Sequence, residues 1–373
     1  MTATAPETAE ESAVASPRAR RSQSADGANA GDGAAGTGAA EGAGATSPSP
    51  SPSRRDRLRA WLAGSLVIVG GTLICKLPDR IVWHLADIAG SVAYTVSGDR
   101  RDRARLNLRR VVVWMAAHEV GDEKYLRAAD DPRILEKLVR SAFHSLAHYY
   151  MEVLRTPRFT AAYVNERIVL DTVAEVDEAL GTRRALILVG MHFGSIEMPG
   201  LFAMSRVGDI TTAMETLRNE RIQRYLYRIR VSYGLRIVGL KEAGTELIGA
   251  LRRNEPIGLI ADRDITGGGI EVQMFGATTK IPAGPVLLAS ETGAPLYVSG
   301  VRRVGPGRYR GKLWPVPVPP LGSRRERSRA MLQEEAKLFE RVVVDAPDQW
   351  LACFHQIWPD LERPARKDSG GNR

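Results

Sequence analysis

From residue 168 onward the sequence alternates short apolar segments with amphipathic ones, and nothing else in it limits the fold as strongly. "RIVL" (167–170) reads as a strand, and "TVAEVDEALGTRR" (172–184) as a helix that stops near Gly181. "ALILVG" (185–190) is a strand with no polar alternation, the pattern of a strand covered on both faces. Further strands fall at "ITTAM" (210–214), "LRIVGL" (235–240), "PIGLIAD" (256–262) and "APLYVSGVRR" (294–303), with helices at 219–234, 244–254 and 281–293 between them. This alternation predicts a layered α/β/α domain around a central, mostly parallel sheet. Ligands of such sheets collect at the carboxyl ends of the strands.

The sequence before the alternation has three textures. Residues 1–53 are Ala, Gly, Ser, Thr and Pro with scattered charges, and lack the apolar periodicity needed to offset ordering, so they read as a disordered tail. Residues 54–98 read as membrane-associated apolar helices with Arg54, Arg55, Arg57 and Arg59 as a basic flank. Their uncharged run, Ala60 to Cys75, is 16 residues. That is shorter than the roughly 20 of a clean membrane span, so a buried soluble helix is the competing reading. The arginine-rich "DRRDRARLNLRRVVVWMAA" (99–117) suits either a solvated helix face or phosphate head groups, and Pro132 opens a long amphipathic helix to Arg155. The domain that carries the chemistry is expected over 99–362, with a second disordered tail at 363–373.

Charge and cysteine content narrow the partners. A formal net charge of +9 calls for an anionic partner, such as a phosphate-bearing substrate or an acidic membrane face. Aromatic interleaving in the basic stretches is sparse, which argues against nucleic acid. Cys75 and Cys353 are the only cysteines, too few for a disulfide framework or a cysteine-rich zinc site. His144 and His148 lie four apart on an amphipathic helix without an evident third ligand, so no metal is expected there. "TGGGI" (266–270) lacks the lysine of a phosphate loop, and no G-x-S-x-G elbow exists.

The chemistry is expected at "GMHFGSIEMPG" (190–200). His192 falls just past the end of the "ALILVG" strand, and Ser195 is placed to cap the following helix, with Pro199 in its first turn. Glu197, five residues on, can fold back to orient the imidazole only if His192 is in the loop. A histidine so held is a general base for a hydroxyl.

This stretch resembles the H-x4-[D/E] box of the lysophospholipid and glycolipid acyltransferases. It is most similar to the lipid A biosynthesis (lauroyl/myristoyl) acyltransferase family, and within it to the actinobacterial phosphatidylinositol mannoside acyltransferases. Collinear segments carry the same resemblance over roughly 60–360: "RARLNLRRVV" (103–112), "AHYYMEVLR" (147–155), "LIADRDITGGGIEVQMFGATTKIPAGPVLLASETGAPL" (259–296) and "PDQWLACFHQIWP" (347–359). It implies an O-acyltransferase at the cytoplasmic face of the cell membrane. The donor would be acyl-CoA or acyl carrier protein, the acceptor a hydroxyl of a glycolipid or phospholipid, with no cofactor or metal.

In residue terms the resemblance implies His192 as base, oriented by Glu197 or by Asp262, where the mannoside acyltransferases more often carry glutamate. It also implies Glu215 and Arg230 along the acceptor groove. Arg263, beside Asp262, suits phosphate contact or an ion pair with Asp264. Backbone N–H groups near Gly194–Ile196 are candidate oxyanion donors. A thioesterase and a non-catalytic basic membrane-binding protein are the alternative readings.

Overall fold

A computed structural model describes residues 61–361, apart from 62–64, 66, 216–218 and 266. The tails expected at 1–53 and 363–373 and the arginines at 54–59 lie outside the described residues.

The N-terminal part of the described chain is helical: α1 (67–74), α2 (Asp79–Val96), α3 (Gly98–Ala117), α4 (Glu123–Leu126), α5 (Pro132–Arg155) and α6 (Ala161–Arg167). The start of α5 is fixed by Asp131, whose carboxylate accepts the N–H of Arg133 at 2.7 Å and of Ile134 at 3.3 Å, with Pro132 in the first turn. Helix α2 lies on α5 through Val82, Ala86 and Gly90. A Cβ on Gly90 would come within 2.6 Å of the His144 Cα, so only glycine allows this approach. The other face of α2 presents Ile81, Leu85, Ile88, Val92 and Val96 to the outside, Val96 being 75 % exposed. Among the described residues no helix is long and apolar enough to cross a membrane.

Arginine-rich α3 is part of the core. Ala104, Leu108, Val111, Val112 and Met115 are fully buried, while Arg105 pairs with Asp102 and Glu136, and Arg110 with Asp360. Internal carboxylates thus neutralise part of the charge that the sequence alone leaves facing outward.

The second half holds β1 (Ile168–Leu170), α7 (Val173–Leu180), β2 (Ile187–Gly190), α8 (Glu197–Val207), β3 (Ile210–Met214), α9 (Glu220–Ser232), β4 (Leu235–Gly239), α10 (Ala243–Arg252) and β5 (Ile257–Ile260). A hairpin β6 (Ile270–Met274)–β7 (Ala277–Ile281), α11 (Gly284–Thr292), β8 (Leu296–Gly305), β9 (Arg308–Pro315) and α12 (Arg324–Val344) follow. The seven-stranded sheet runs β1-β9-β8-β2-β5-β3-β4 and is parallel except for the antiparallel β8–β9 pair. The domain is therefore α/β with a mostly parallel central sheet. The β6–β7 hairpin and α12, which opens on a Ser323/Glu326 capping box, carry no assignment from the sequence.

The sheet separates two apolar cores, and strand pleating sorts residues between them. Ile187, Val189, Ile257 and Val298 enter a core with α3, α5, α11 and α12. Leu188, Ile210, Tyr297 and Val301 enter a second core with α7 and α8. This two-sided burial is why "ALILV" has no polar member.

Candidate active site

Strands β2 and β5 are parallel neighbours with Gly190 opposite Ile260. Two residues further along each, His192 and Asp262 come side by side. The His192 backbone N–H donates to Asp262 Oδ2 at 3.0 Å, and His192 Nδ1 lies 2.7 Å from Asp262 Oδ1. The shortness of aspartate is met by this backbone approach. The indole N–H of Trp350 donates to Asp262 Oδ2 at 3.1 Å.

Asp262 is 1 % exposed. Burial pushes its carboxyl upward, but the His192 imidazole and the hydrogen bonds from His192 and Trp350 more than offset it, so its pKa falls below the usual aspartate value. An ionised Asp262 makes Nδ1 the protonated ring nitrogen and leaves Nε2 able to accept a proton. The imidazole lines a cavity of about 490 Å³.

Glu197 does not join this pair. Its carboxylate accepts from Arg230, through Nη2 and through Nε at 3.4 Å, while Arg230 Nη1 lies 3.0 Å from Met214 Sδ. The ion pair is largely buried and lines the cavity. Of the two acids left open by the sequence, Asp262 is thus the one in contact with His192. Tyr149 lies beside the Glu197–Arg230 pair, its phenol pushed upward by burial and then by Glu197. Glu215 is exposed at the cavity wall. Arg263 also lines the cavity, but its Nη1 is 2.8 Å from His355 Nδ1. Asp264 instead accepts the N–H groups of Gly267 and Gly269. Desolvation, then Arg263 and His192, push the His355 imidazole down to about 4, which leaves Nδ1 free to accept from Arg263.

The loop after His192 departs from the sequence expectation. Helix α8 begins at Glu197 with Ile196 in the capping position. Ser195 is 1 % exposed and caps nothing; its N–H goes to Val301 O at 3.0 Å and its Oγ has no partner among the described residues. The Gly194 N–H goes to Gln349 O at 2.9 Å. Two of the three candidate oxyanion donors are therefore already engaged. Gly194 has φ +52°, and a Cβ there would fall 2.1 Å from Val301 O, so no other residue makes this turn.

Several supports were not identifiable from sequence. Buried Arg303 donates to Gly194 O at 2.8 Å and pairs with Glu152 at 3.0 Å. Leu351 N–H donates to His192 O at 2.6 Å, and Asn107 Nδ2 holds Cys353 O and His355 O at 2.8 and 2.7 Å. Trp350 lies in a segment the family resemblance singles out, which is the one signal that pointed to it. His144 and His148 are bound to Ser91 and Asp87, apart from this site.

The bacterial lipid A biosynthesis acyltransferase family matches residues 51–359. A phosphatidylinositol mannoside acyltransferase of Mycolicibacterium smegmatis is 31% identical over 304 residues, covering 80% of this chain and 92% of the relative. A protein of the same description from Mycobacterium tuberculosis (strain CDC 1551 / Oshkosh) is 29% identical over 240 residues, 62% of this chain and 73% of its own length. With most of its length matched, the chain belongs to the bacterial lipid A biosynthesis acyltransferase family and is an acyltransferase.

Proposed function

We propose that the protein is a membrane-associated O-acyltransferase that moves a fatty acyl group from acyl-CoA or acyl carrier protein to a hydroxyl of a glycolipid such as a phosphatidylinositol mannoside. The observation that carries this reading is the His192–Asp262 pair opening on a largely apolar cavity. His192 Nε2 takes the acceptor hydroxyl proton as that oxygen attacks the thioester carbonyl carbon. Asp262 holds the ring and stabilises the imidazolium. The tetrahedral intermediate collapses, the C–S bond breaks, and the imidazolium returns the proton to the departing thiolate. The scheme calls on no cofactor.

The cavity runs between the sheet and helices α7 and α8, walled by Ile168, Leu180, Leu188, Leu201, Phe202 and Val301. It suits an acyl chain, whose methylenes are worth about 0.8 kcal/mol each when buried. The Glu197–Arg230 pair fixes the position of α8 against α9 at the reacting end. Glu215 faces the sugar acceptor, and Arg263, steadied by His355, faces a phosphate of donor or acceptor. The exposed apolar stripe of α2 and the net charge of +9 support docking on an anionic membrane surface.

Purified protein with palmitoyl-CoA should acylate phosphatidylinositol mannoside, and His192→Ala should lower that rate by roughly 10³, within the range a general base contributes. Release of free fatty acid at a rate indifferent to the acceptor would instead establish a thioesterase. Full transfer by His192→Ala would overturn the mechanism.

A further inference from the structure

Glycine inside a helix or strand is less stable there than alanine, because it loses more freedom on folding. Two glycines of the cavity wall occupy such places without a backbone reason. Gly200 lies in α8 and Gly258 in β5, and neither has a positive φ. Packing gives no reason either. A Cβ on Gly200 would meet nothing within 4 Å, and one on Gly258 would meet only Ile210 Cγ2, at an ordinary 3.5 Å. Gly190, also on the cavity wall, differs: a Cβ there would strike Ile260 Cδ1 at 2.8 Å. What a side chain at 200 or 258 would displace is cavity volume, since both residues line it.

Their placement along the cavity follows from the register. Gly258 is opposite Leu188 on β2 and Thr212 on β3, all three lining the cavity. His192 is four residues beyond Leu188, so Gly258 lies roughly 13 Å below the imidazole at about 3.3 Å per strand residue. Gly200 is on the helix wall, three residues after Glu197. A long acyl chain whose thioester carbonyl lies beside His192 must pass both.

We infer that Gly200 and Gly258 set the bore of the acyl channel, one from the helix wall and one from the sheet wall, and so determine which donor chain lengths turn over. This rests on the cavity being the acyl channel of the proposed transferase. Valine is favoured in strands, so Gly258→Val suits β5 while its methyls enter the lumen. Alanine is favoured in helices, so Gly200→Ala suits α8 while narrowing the same passage.

The test compares kcat/KM for palmitoyl-CoA and octanoyl-CoA, with phosphatidylinositol mannoside as acceptor, in wild type and both variants. Thermal midpoints are recorded alongside. The palmitoyl-to-octanoyl ratio should fall roughly tenfold or more in Gly258→Val, the scale of one methylene of misfit in an apolar pocket. It should fall less in Gly200→Ala, whose thermal midpoint should be equal or higher. A merely structural role would lower both donors in proportion, and an unchanged ratio in either folded variant overturns the inference. Should Gly258→Val not fold, Gly200→Ala decides alone. A wild-type chain that transfers neither acyl group refutes the proposed function, and the inference with it.

Discussion

Replacing Asp262 by asparagine keeps the shape of the side chain and removes its charge. The wild-type Oδ2 accepts from the His192 N–H at 3.0 Å and from Trp350 Nε1–H at 3.1 Å, while Oδ1 faces His192 Nδ1 at 2.7 Å. The amide has one accepting and one donating end. Turned with oxygen toward the two N–H groups, it satisfies both; turned the other way, it sets its NH₂ against both. With a hydrogen bond worth about 1 kcal/mol and a buried unmet donor costing more, the first orientation wins. The asparagine NH₂ then faces Nδ1, which must accept, and the ring proton moves to Nε2. An imidazole protonated at Nε2 cannot take the acceptor proton. In serine-protease triads the equivalent change lowers kcat about 10⁴-fold, or about 5.5 kcal/mol of barrier. Loss of a single charge-assisted hydrogen bond accounts for at most about 3 kcal/mol, or roughly two orders of magnitude. Single-turnover transfer from a saturating acyl thioester separates the two sizes of effect, and ¹⁵N NMR of the His192 ring reports the tautomer directly. Transfer within about tenfold of wild type, or an Nδ1–H tautomer in the variant, would refute this account.

Two other predictions address stability and membrane contact. Glu335 is fully buried, neither carboxylate oxygen has a partner among the described residues, and burial alone pushes its pKa well above the ordinary value of 4.5. A carboxyl raised in the fold stabilises it below the unfolded value and loses that contribution as pH rises. Glu335→Gln should therefore gain stability over wild type between pH 5 and pH 8 with a slope of up to about 1.4 kcal/mol per pH unit, read from urea midpoints; an equal difference at both pH values would contradict it. On α2, Ile88→Glu with Val92→Glu should reduce sedimentation with anionic vesicles at least roughly tenfold while leaving the thermal midpoint unchanged, since Ile88 is 62 % and Val92 56 % exposed. Undiminished sedimentation would remove α2 from the membrane contact.

The layered fold was legible because pleating and helical periodicity are local properties. "ALILVG" announced a strand buried on both faces, and "IPAGP" a helix start, within three residues of their observed places. His192 was legible as a residue at the end of such a strand. Its neighbour was not. Glu197 and Asp262 are five and seventy residues away in sequence, but the sheet makes β5 the neighbour of β2, and strand order is a non-local property. Arg230, on another helix, engages Glu197. The misplaced cap at Ser195 has one local cause and one distant cause. The left-handed turn at Gly194 and the bond from Ser195 N–H to Val301 O carry the chain past that residue before the helix begins. Trp350 and Arg303 could not be assigned because their partners Asp262 and Gly194 are 88 and 109 residues away in the chain.

The segment 349–351 is stitched to the His192 loop by Gly194 N–H to Gln349 O, Leu351 N–H to His192 O and the Phe193–Trp350 bridge. Synthesis runs from the other end. A nascent chain that has reached Val344 already holds His192, Asp262 and all strands of the sheet, but neither the indole over the carboxylate nor the strap under the histidine. The surroundings of the His192–Asp262 pair are thus finished among the last parts of the described chain to leave the ribosome. A messenger truncated within that stretch would leave the His192–Asp262 pair without either support.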